Sequence, residues 1–359
     1  MDFTNALFRW HKNHQRLFVW KNTKDPYAIW VSEIILQQTR VQQGERYYTK
    51  FLDTFPTVHH LARAKEDQVL KVWQGLGYYS RARNMYKTAK NIVTEHKGSF
   101  PDSVEKLQQL HGIGPYTAAA IGSFAFDLPV AALEANGYRL LARFFGIEEP
   151  IHTSAAKKKC HSLAEHLLPK GESARFNQAL MDFGSLICSP TPRCCSCPLS
   201  KDCTAFKENK THVLPVREAK KHVKDRYFHY FVFLNQSYTV IRRRKNNDIW
   251  KGLYEFPLIE TKKSVTYKQL CRTDAFEYLL THIWGMTLPP TLPSHTYAMQ
   301  PHKLSHQTIH AVFYQIPWLS TTVLSKEEYI QTTVYELPEY AVSKLIENYL
   351  CFFPNFVGL

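Results

Sequence analysis

The chain has 359 residues, 44% hydrophobic and 21% charged, the proportions of a folded globular protein with room for two cores. Lysine and arginine number 45 against 31 aspartates and glutamates, an excess of 14 positive charges that suits a polyanion such as nucleic acid. No run of about 18 apolar residues occurs, which excludes a membrane-spanning helix and argues against a membrane partner.

The opening stretch MDFTNALFRWHKNHQRLF has no apolar signal-peptide core and reads as a first amphipathic helix. A reducing, cytoplasmic setting is expected, nucleoid-associated in a bacterium. Helical spacing recurs to about residue 203, as in DSVEKLQQL and GYRLLARFF. Between two such segments lies LHGIGPYTAAAIGSFAF, where Gly112 and Gly114 let the backbone turn tightly and approach a partner. The helix that follows offers free N–H groups and a positive dipole end, which suits a phosphate.

Five of the eight cysteines then crowd into CSPTPRCCSCPLSKDC. Cys188, Cys194, Cys197 and Cys203 form C-x5-C-x2-C-x5-C, a spacing that one short segment can wrap around a [4Fe–4S] cluster. Zinc is the rival, but zinc ribbons usually bring two C-x-x-C knuckles and this loop has one. Disulfides are disfavoured in a reducing compartment. Using Cys195 in place of Cys194 would leave one residue between two corners of a cubane, so Cys195 reads as spare.

Residues 204–226 are polar and basic with little periodicity, and read as a linker. From Tyr227 the texture is β-rich: YFHYFVFLNQSYTVIRRR reads as a hairpin around Asn-Gln-Ser, TIHAVFYQI as a strand, and EYAVSKLIENYL as a late helix. The fold class is therefore a mostly α first half followed by an α+β second half.

The order of a helix–hairpin–helix and, about 75 residues on, a four-cysteine loop resembles the endonuclease III superfamily of DNA glycosylases. DPYAIWVSEIILQQTRV (25–41), WQGLGYYSRARN (73–84) and FNQALMDFG (176–184) narrow the resemblance to the A/G-specific adenine glycosylases, the MutY type. DIWKGLYEFPL and HKLSHQTIHAVFY resemble that family's C-terminal Nudix-like domain. The resemblance covers nearly the whole chain. It implies a helical glycosylase domain over 1–203 with an iron–sulfur loop at 188–203, a linker at 204–226, and a lesion-recognition domain over 227–359. It also implies a monomer that binds double-stranded DNA with A:8-oxoguanine or A:G mismatches, flips out the adenine and cuts its glycosidic bond.

Residue roles follow from the same resemblance. Glu33 matches the general acid, and its apolar neighbours Ile34, Ile35 and Leu36 would raise its pKa. Arg16, Trp20, Lys21, Leu36, Tyr116 and Gln178 fall where the family lines its adenine pocket, Lys21 replacing the usual Arg. Gln37, Gln38, Tyr78 and Tyr79 would fill the space left by the flipped base, with one tyrosine packing a helix end instead. Arg81 and Arg83 read either as phosphate contacts or as a solvated face. Bifunctional lyases of the superfamily carry a Lys at the Tyr116 position, so a monofunctional enzyme is expected. Leu304, Ser305 and His306 match the lesion-reading loop, where Phe more often precedes the Ser-His pair. The closely spaced glutamates of Nudix hydrolases are missing after GLYEFPL, so no phosphohydrolase site is expected.

One stretch departs from the pattern. Where the family has V-D-G-N-V, this chain has ALEANGYRLL: Glu134 takes the Asp position, Ala135 the Gly, Asn136 is kept, and Gly137 replaces an apolar residue. The carboxylate sits on a stem one methylene longer, and a displacement of about 1 Å can cost on the order of a hundredfold in rate. The methyl of Ala135 is expected to oppose a tight turn. Two readings result: an active adenine glycosylase using Glu33 and Glu134, or a protein that binds the A:8-oxoguanine pair and barely cuts. A pyrimidine glycosylase of the same superfamily is disfavoured, because those enzymes carry the Lys and lack the long C-terminal domain.

Overall fold

The computed structural model describes residues 2–21, 23–216, 223–235, 237–281, 293–317 and 328–352. It resolves into two compact units, one of Met1–Arg63 with Asn84–Ala219, the other of Ala64–Arg83 with Lys220–Leu359. The partition is not a single cut. Residues 64–83, read from sequence as part of the helical half, group with the second unit.

The first unit is helical. Helix α1 (Phe3–Lys12) begins where the Asp2 carboxylate accepts from the N–H of Thr4 and Asn5, and it buries Phe3, Ala6, Leu7 and Trp10. It is shorter than expected, because His14 turns back to stack its ring on Trp10 at 4.8 Å. Helices α2 (Pro26–Leu36), α3 (Val41–Thr54) and α4 (Val58–Arg63) follow. α2 is apolar nearly all round and is correspondingly buried, with Trp30 and Val31 at its centre. Helix α5 (Glu66–Trp73) lies in the second unit, and α6 (Ser80–Glu95) runs from one unit into the other.

Helices α7 (Val104–Gln109) and α8 (Pro115–Phe126) form the expected hairpin, α7 capped by Ser103. Gly112 adopts φ +78°, and a Cβ there would lie 2.8 Å from Asn84 Cβ, so both its conformation and its neighbour demand glycine. Gly114 is different: its φ is −84°, and it caps α8 facing open space. Helices α9 (Ala135–Phe145), α10 (Ser154–Leu167) and α11 (Ser173–Leu186) enclose a core around Leu141, Phe176 and Phe183. Beyond the cysteine loop, the short α12 (Thr204–Lys207) buries Ala205, and Leu214 is 3% exposed with its carbonyl accepting from Arg143 Nε. The first part of the expected linker is thus fastened to the first unit; its apolar anchors are too widely spaced to register as a periodic pattern.

The second unit holds two sheets. In one, β1 (Lys224–Leu234) pairs antiparallel with β4 (Leu258–Thr261) and parallel with β7 (Gln307–Pro317). Strands β5 (His295–Ala298) and β6 (His302–Lys303) both pair with β7. The other sheet has the order β3–β2–β8, from Tyr254–Glu255, Tyr238–Arg243 and Ile330–Thr333. The expected tight connection at Asn-Gln-Ser is present, closed by reciprocal backbone hydrogen bonds between Asn235 and Tyr238, but the two strands do not go on pairing beyond it. β1 and β2 join through a single bridge, Asn235 to Tyr238, and then separate into different sheets. Alternation cannot foretell this, since both strands are buried on both faces. Short helices α13 (Tyr267–Leu270) and α14 (Asp274–Leu279) cover one core. The late helix α15 (Lys344–Phe352) starts five residues after the predicted stretch begins and buries Leu345, Ile346 and Tyr349 against the sheet. In the same unit the Tyr254 hydroxyl donates to Asp67 at 2.9 Å, and Arg243 pairs with Asp67 at 2.9 Å. These contacts place α5 with the strands.

Candidate active site

A cavity of about 830 Å³ opens in the first unit, a size that fits a small-molecule or base-sized ligand. Glu33 reaches it from α2, a helix so apolar that its one carboxylate stands out. The Tyr116 hydroxyl donates to Glu33 Oε2 at 2.7 Å. Burial, opposed by that bond and reinforced by the nearby Glu134 charge, lifts the Glu33 carboxyl to about 7. Burial and the Glu33 charge push the Tyr116 phenol well up, so it stays a hydrogen-bond donor.

Glu134 lines the same cavity. It is the N-cap of α9, and its side chain accepts from Asn136 N–H at 3.1 Å. Burial raises its carboxyl, while the bonds from Asn136 and the Arg139 charge pull it back. The longer stem therefore bends back onto its own helix start. The turn itself tolerates Ala135: the residue begins a right-handed helix with its methyl exposed, so the expectation that this methyl opposes a tight turn is overturned. The tight spot lies at Gly184 of α11, where a Cβ would come 2.8 Å from both Asn136 Cβ and Asn136 O. Gly184→Ala is expected to push the α9 N-terminus away, lowering stability by about 1–3 kcal/mol. Thermal melting and the adenine-release rate are expected to fall together.

Arg16, Trp20, Lys21, Leu36, Gln37, Gln38, Asn136 and Gln178 line the cavity too. Arg16 lies 4.4 Å over the Phe18 ring and donates to Ser185, while Trp20 stacks on Phe18 at 5.0 Å. Gln37 Nε2 donates to Thr117, and Gln38 is exposed at φ +57°.

The sequence reading missed four polar residues that build this site. Asn177 clamps the strand-like approach to Glu134, accepting from Ala132 N–H and donating to Val130 C=O, both at 2.9 Å. Arg139 donates to Asn136 Oδ1 at 2.6 Å, to the Gly184 carbonyl at 2.7 Å and to the Cys188 carbonyl at 2.7 Å. His11 and Asp182 are buried in the cavity wall. Each is a polar residue on an otherwise apolar helix face, the one signal that would have found them.

Cys188, Cys194, Cys197 and Cys203 all line one small pocket walled by Leu140, Phe144, Phe183 and Leu199, whereas Cys195 is exposed. The donor set fits a four-thiolate group in an apolar cradle. Among the described residues, no three Cys, His, Asp or Glu side chains converge as the ligands of a single metal ion, so the four thiols surround the pocket without meeting at one point. Arg143 girdles the loop, donating to the carbonyls of Ser189 at 2.7 Å and Pro190 at 3.1 Å.

The remaining sequence-singled residues belong to the second unit. Tyr79 is buried, accepting from Gly75 N–H and donating to Val342 C=O, while Tyr78 is 44% exposed at φ +47°. Arg81 donates to the carbonyls of Leu76 and Gly77 and lies 5.2 Å over Trp73; burial lowers it to about 10. Arg83 donates to Lys251 C=O. Neither arginine is the bare solvated face that one reading allowed. Ser305 and His306 are exposed at the turn between β6 and β7, and the Tyr78 and Ser305 hydroxyls are hydrogen-bonded. Leu304 packs onto the core and pairs its N–H with Gln307 C=O.

Residues 31–166 match the HhH-GPD superfamily of base excision DNA repair proteins, and residues 229–351 match a NUDIX domain. An adenine DNA glycosylase of Buchnera aphidicola subsp. Acyrthosiphon pisum is 36% identical over 263 residues, covering 73% of this chain and 75% of that protein. The adenine DNA glycosylase of Homo sapiens is 36% identical over 213 residues, 56% of this chain and 39% of the human protein. Among solved structures, a thermostable thymine-DNA glycosylase superposes with a TM-score of 0.54 at 29% identity, covering 57% of this chain and 95% of that one.

Proposed function

Because this chain belongs to the adenine DNA glycosylase family of helix-hairpin-helix base excision repair proteins, and is an adenine-excising DNA glycosylase, we propose that it acts as a monofunctional monomer on adenine opposite 8-oxoguanine or guanine. The observation that carries the reading is the protonatable Glu33, bonded to Tyr116 and sharing its cavity with Glu134. Adenine is a poor leaving anion. Glu33 gives its proton to a ring nitrogen of the flipped base as the C1′–N9 bond breaks, and the bonding electrons leave with a neutral adenine. The Glu134 carboxylate opposes the positive charge on the sugar. Water then adds its oxygen to C1′, and the proton it loses restores Glu33. Tyr116 holds the acid in place and, lacking an amine, forms no Schiff base, so the product is an uncleaved abasic strand.

Lesion reading falls to the exposed Ser305–His306 turn with Tyr78, whose hydroxyl is hydrogen-bonded to that of Ser305. Cys188, Cys194, Cys197 and Cys203 would hold a [4Fe–4S] cluster, a structural cofactor that braces the loop. Purified protein is expected to show broad visible absorption with about four irons and no zinc per chain; a stoichiometric zinc would reverse the assignment. A cytoplasmic location, a reducing setting for the cysteine loop, goes with this reading; among the described residues no helix is long and apolar enough to cross a membrane.

A single-turnover assay on duplexes with adenine opposite 8-oxoguanine, guanine, cytosine or thymine tests the substrate. Fastest release opposite 8-oxoguanine supports the reading. Tight binding without release at stoichiometric enzyme would instead establish the lesion-binding alternative. Glu134 keeps a carboxylate in the cavity, which favours the active enzyme.

A further inference from the structure

The cavity wall contains a charge cluster that the reaction described so far does not use. Asp182 on α11 is 2% exposed, and its Oδ2 meets both His11 Nε2 at 3.1 Å and Lys21 Nζ at 3.0 Å. His11, on α1, is 4% exposed, and the Lys21 side chain is 14% exposed. All three residues line the cavity that holds Glu33. A buried ion pair contributes little stability over an apolar pair of equal volume, whereas removing one partner strands the other charge. A pair of this kind, set in the wall of a reaction cavity, calls for a functional account.

We propose that Asp182 is a positioning residue that holds and neutralises Lys21, so that the cavity offers ammonium N–H donors to the acceptor nitrogens of a flipped purine without adding net positive charge beside it. The need for neutrality comes from the chemistry. The base must gain a proton from Glu33 before it leaves, and an unbalanced cation within the same low-dielectric space opposes that gain. Burial on its own would raise the Asp182 carboxyl, but the bonds from His11 and Lys21 outweigh it and hold the group below the usual carboxylate range. Asp182 is therefore ionised at neutral pH, and its carboxylate balances the Lys21 charge that it touches. Another cation lining the cavity, Arg16, shares the Phe18 ring with Lys21, at 4.4 Å and 5.3 Å respectively. The inference rests on adenine excision at this cavity.

The two halves of the pair are predicted to behave unequally, which an ion pair kept only for stability would not do. Single-turnover adenine release at saturating enzyme, with DNA affinity measured separately, is compared for the wild type, Asp182→Asn, Lys21→Met and the double variant. Asp182→Asn leaves the ammonium unbalanced and is expected to slow release about tenfold or more. Lys21→Met removes a donor and a charge together; it is expected to weaken binding and to slow release clearly less than Asp182→Asn does. The double variant is expected to release adenine several-fold faster than Asp182→Asn. Equal losses in the two single variants, or a double variant as slow as Asp182→Asn, overturn the proposal. Thermal melting identifies folded variants. If Asp182→Asn does not fold, Lys21→Met decides alone, and a tenfold loss in its release rate overturns the proposal. A wild-type chain that releases no adenine from any duplex overturns the functional reading, and this proposal with it.

Discussion

Replacing Glu33 with Gln is expected to slow adenine release about 10³-fold in single turnover while leaving DNA binding nearly intact, because general acid catalysis is typically worth 10²–10⁴. Gln keeps the shape and the bond from Tyr116 but has no proton to give. The wild-type rate should also carry the signature of this acid. The Glu33 carboxyl is raised from 4.5 to about 7, so the reactive protonated form is full below that value and is lost as pH rises through it. Above about pH 7 the rate should fall tenfold per unit. A flat profile from pH 6 to pH 9, with chemistry rate-limiting, would remove Glu33 from the role. Stability has the same sign. Between 4.5 and about 7 the folded chain holds a proton that the unfolded chain releases, so folding stability falls as pH climbs through that window. Glu33→Gln should abolish that part of the slope.

Glu134→Gln carries the second large effect. Removing the negative charge that faces the developing sugar cation is expected to cost about 10²–10³ in rate. The Gln side-chain oxygen can still accept from Asn136 N–H, so the start of α9 should survive and the melting temperature should move little. Because the Glu134 charge helps raise Glu33, the alkaline fall-off of the variant should shift to lower pH. A loss of activity with no such shift would mean that the two carboxylates do not sense each other. Glu134→Asp is the complementary change. Asp caps helices better than Glu and restores the shorter stem, so release should become faster, while an unchanged or lower rate would show that the longer stem is well placed.

Much of this site was legible because reaction chemistry restricts residue type. A lone carboxylate inside IWVSEIILQQ has few structural uses, and four thiols at C-x5-C-x2-C-x5-C have fewer; both lead to residues that line defined cavities. What escaped notice was second-order support. Asn177, Arg139, His11 and Asp182 act through partners far away in sequence, such as the bond from His11 to Asp182 across 171 positions, and single-chain patterns carry no trace of such pairings. The strands show the same limit. β1 and β2 were recognisable, but their divergence into separate sheets depends on β7, a non-local parallel partner some eighty residues on. Glu134 was read as a departure with a crowded turn; the crowding in fact sits at Gly184, on another helix.

The lending of residues 64–83 to the β-rich unit, noted in the fold, has a practical consequence. The polypeptide enters that unit, leaves it and returns, so no single proteolytic nick or stop codon yields both halves whole. A product ending near residue 216 would keep Asp67 without its Tyr254 and Arg243 partners and Tyr79 without the Val342 carbonyl. Such a fragment carries an orphaned helix into water, and any activity missing from it would report that injury as much as the absence of lesion reading.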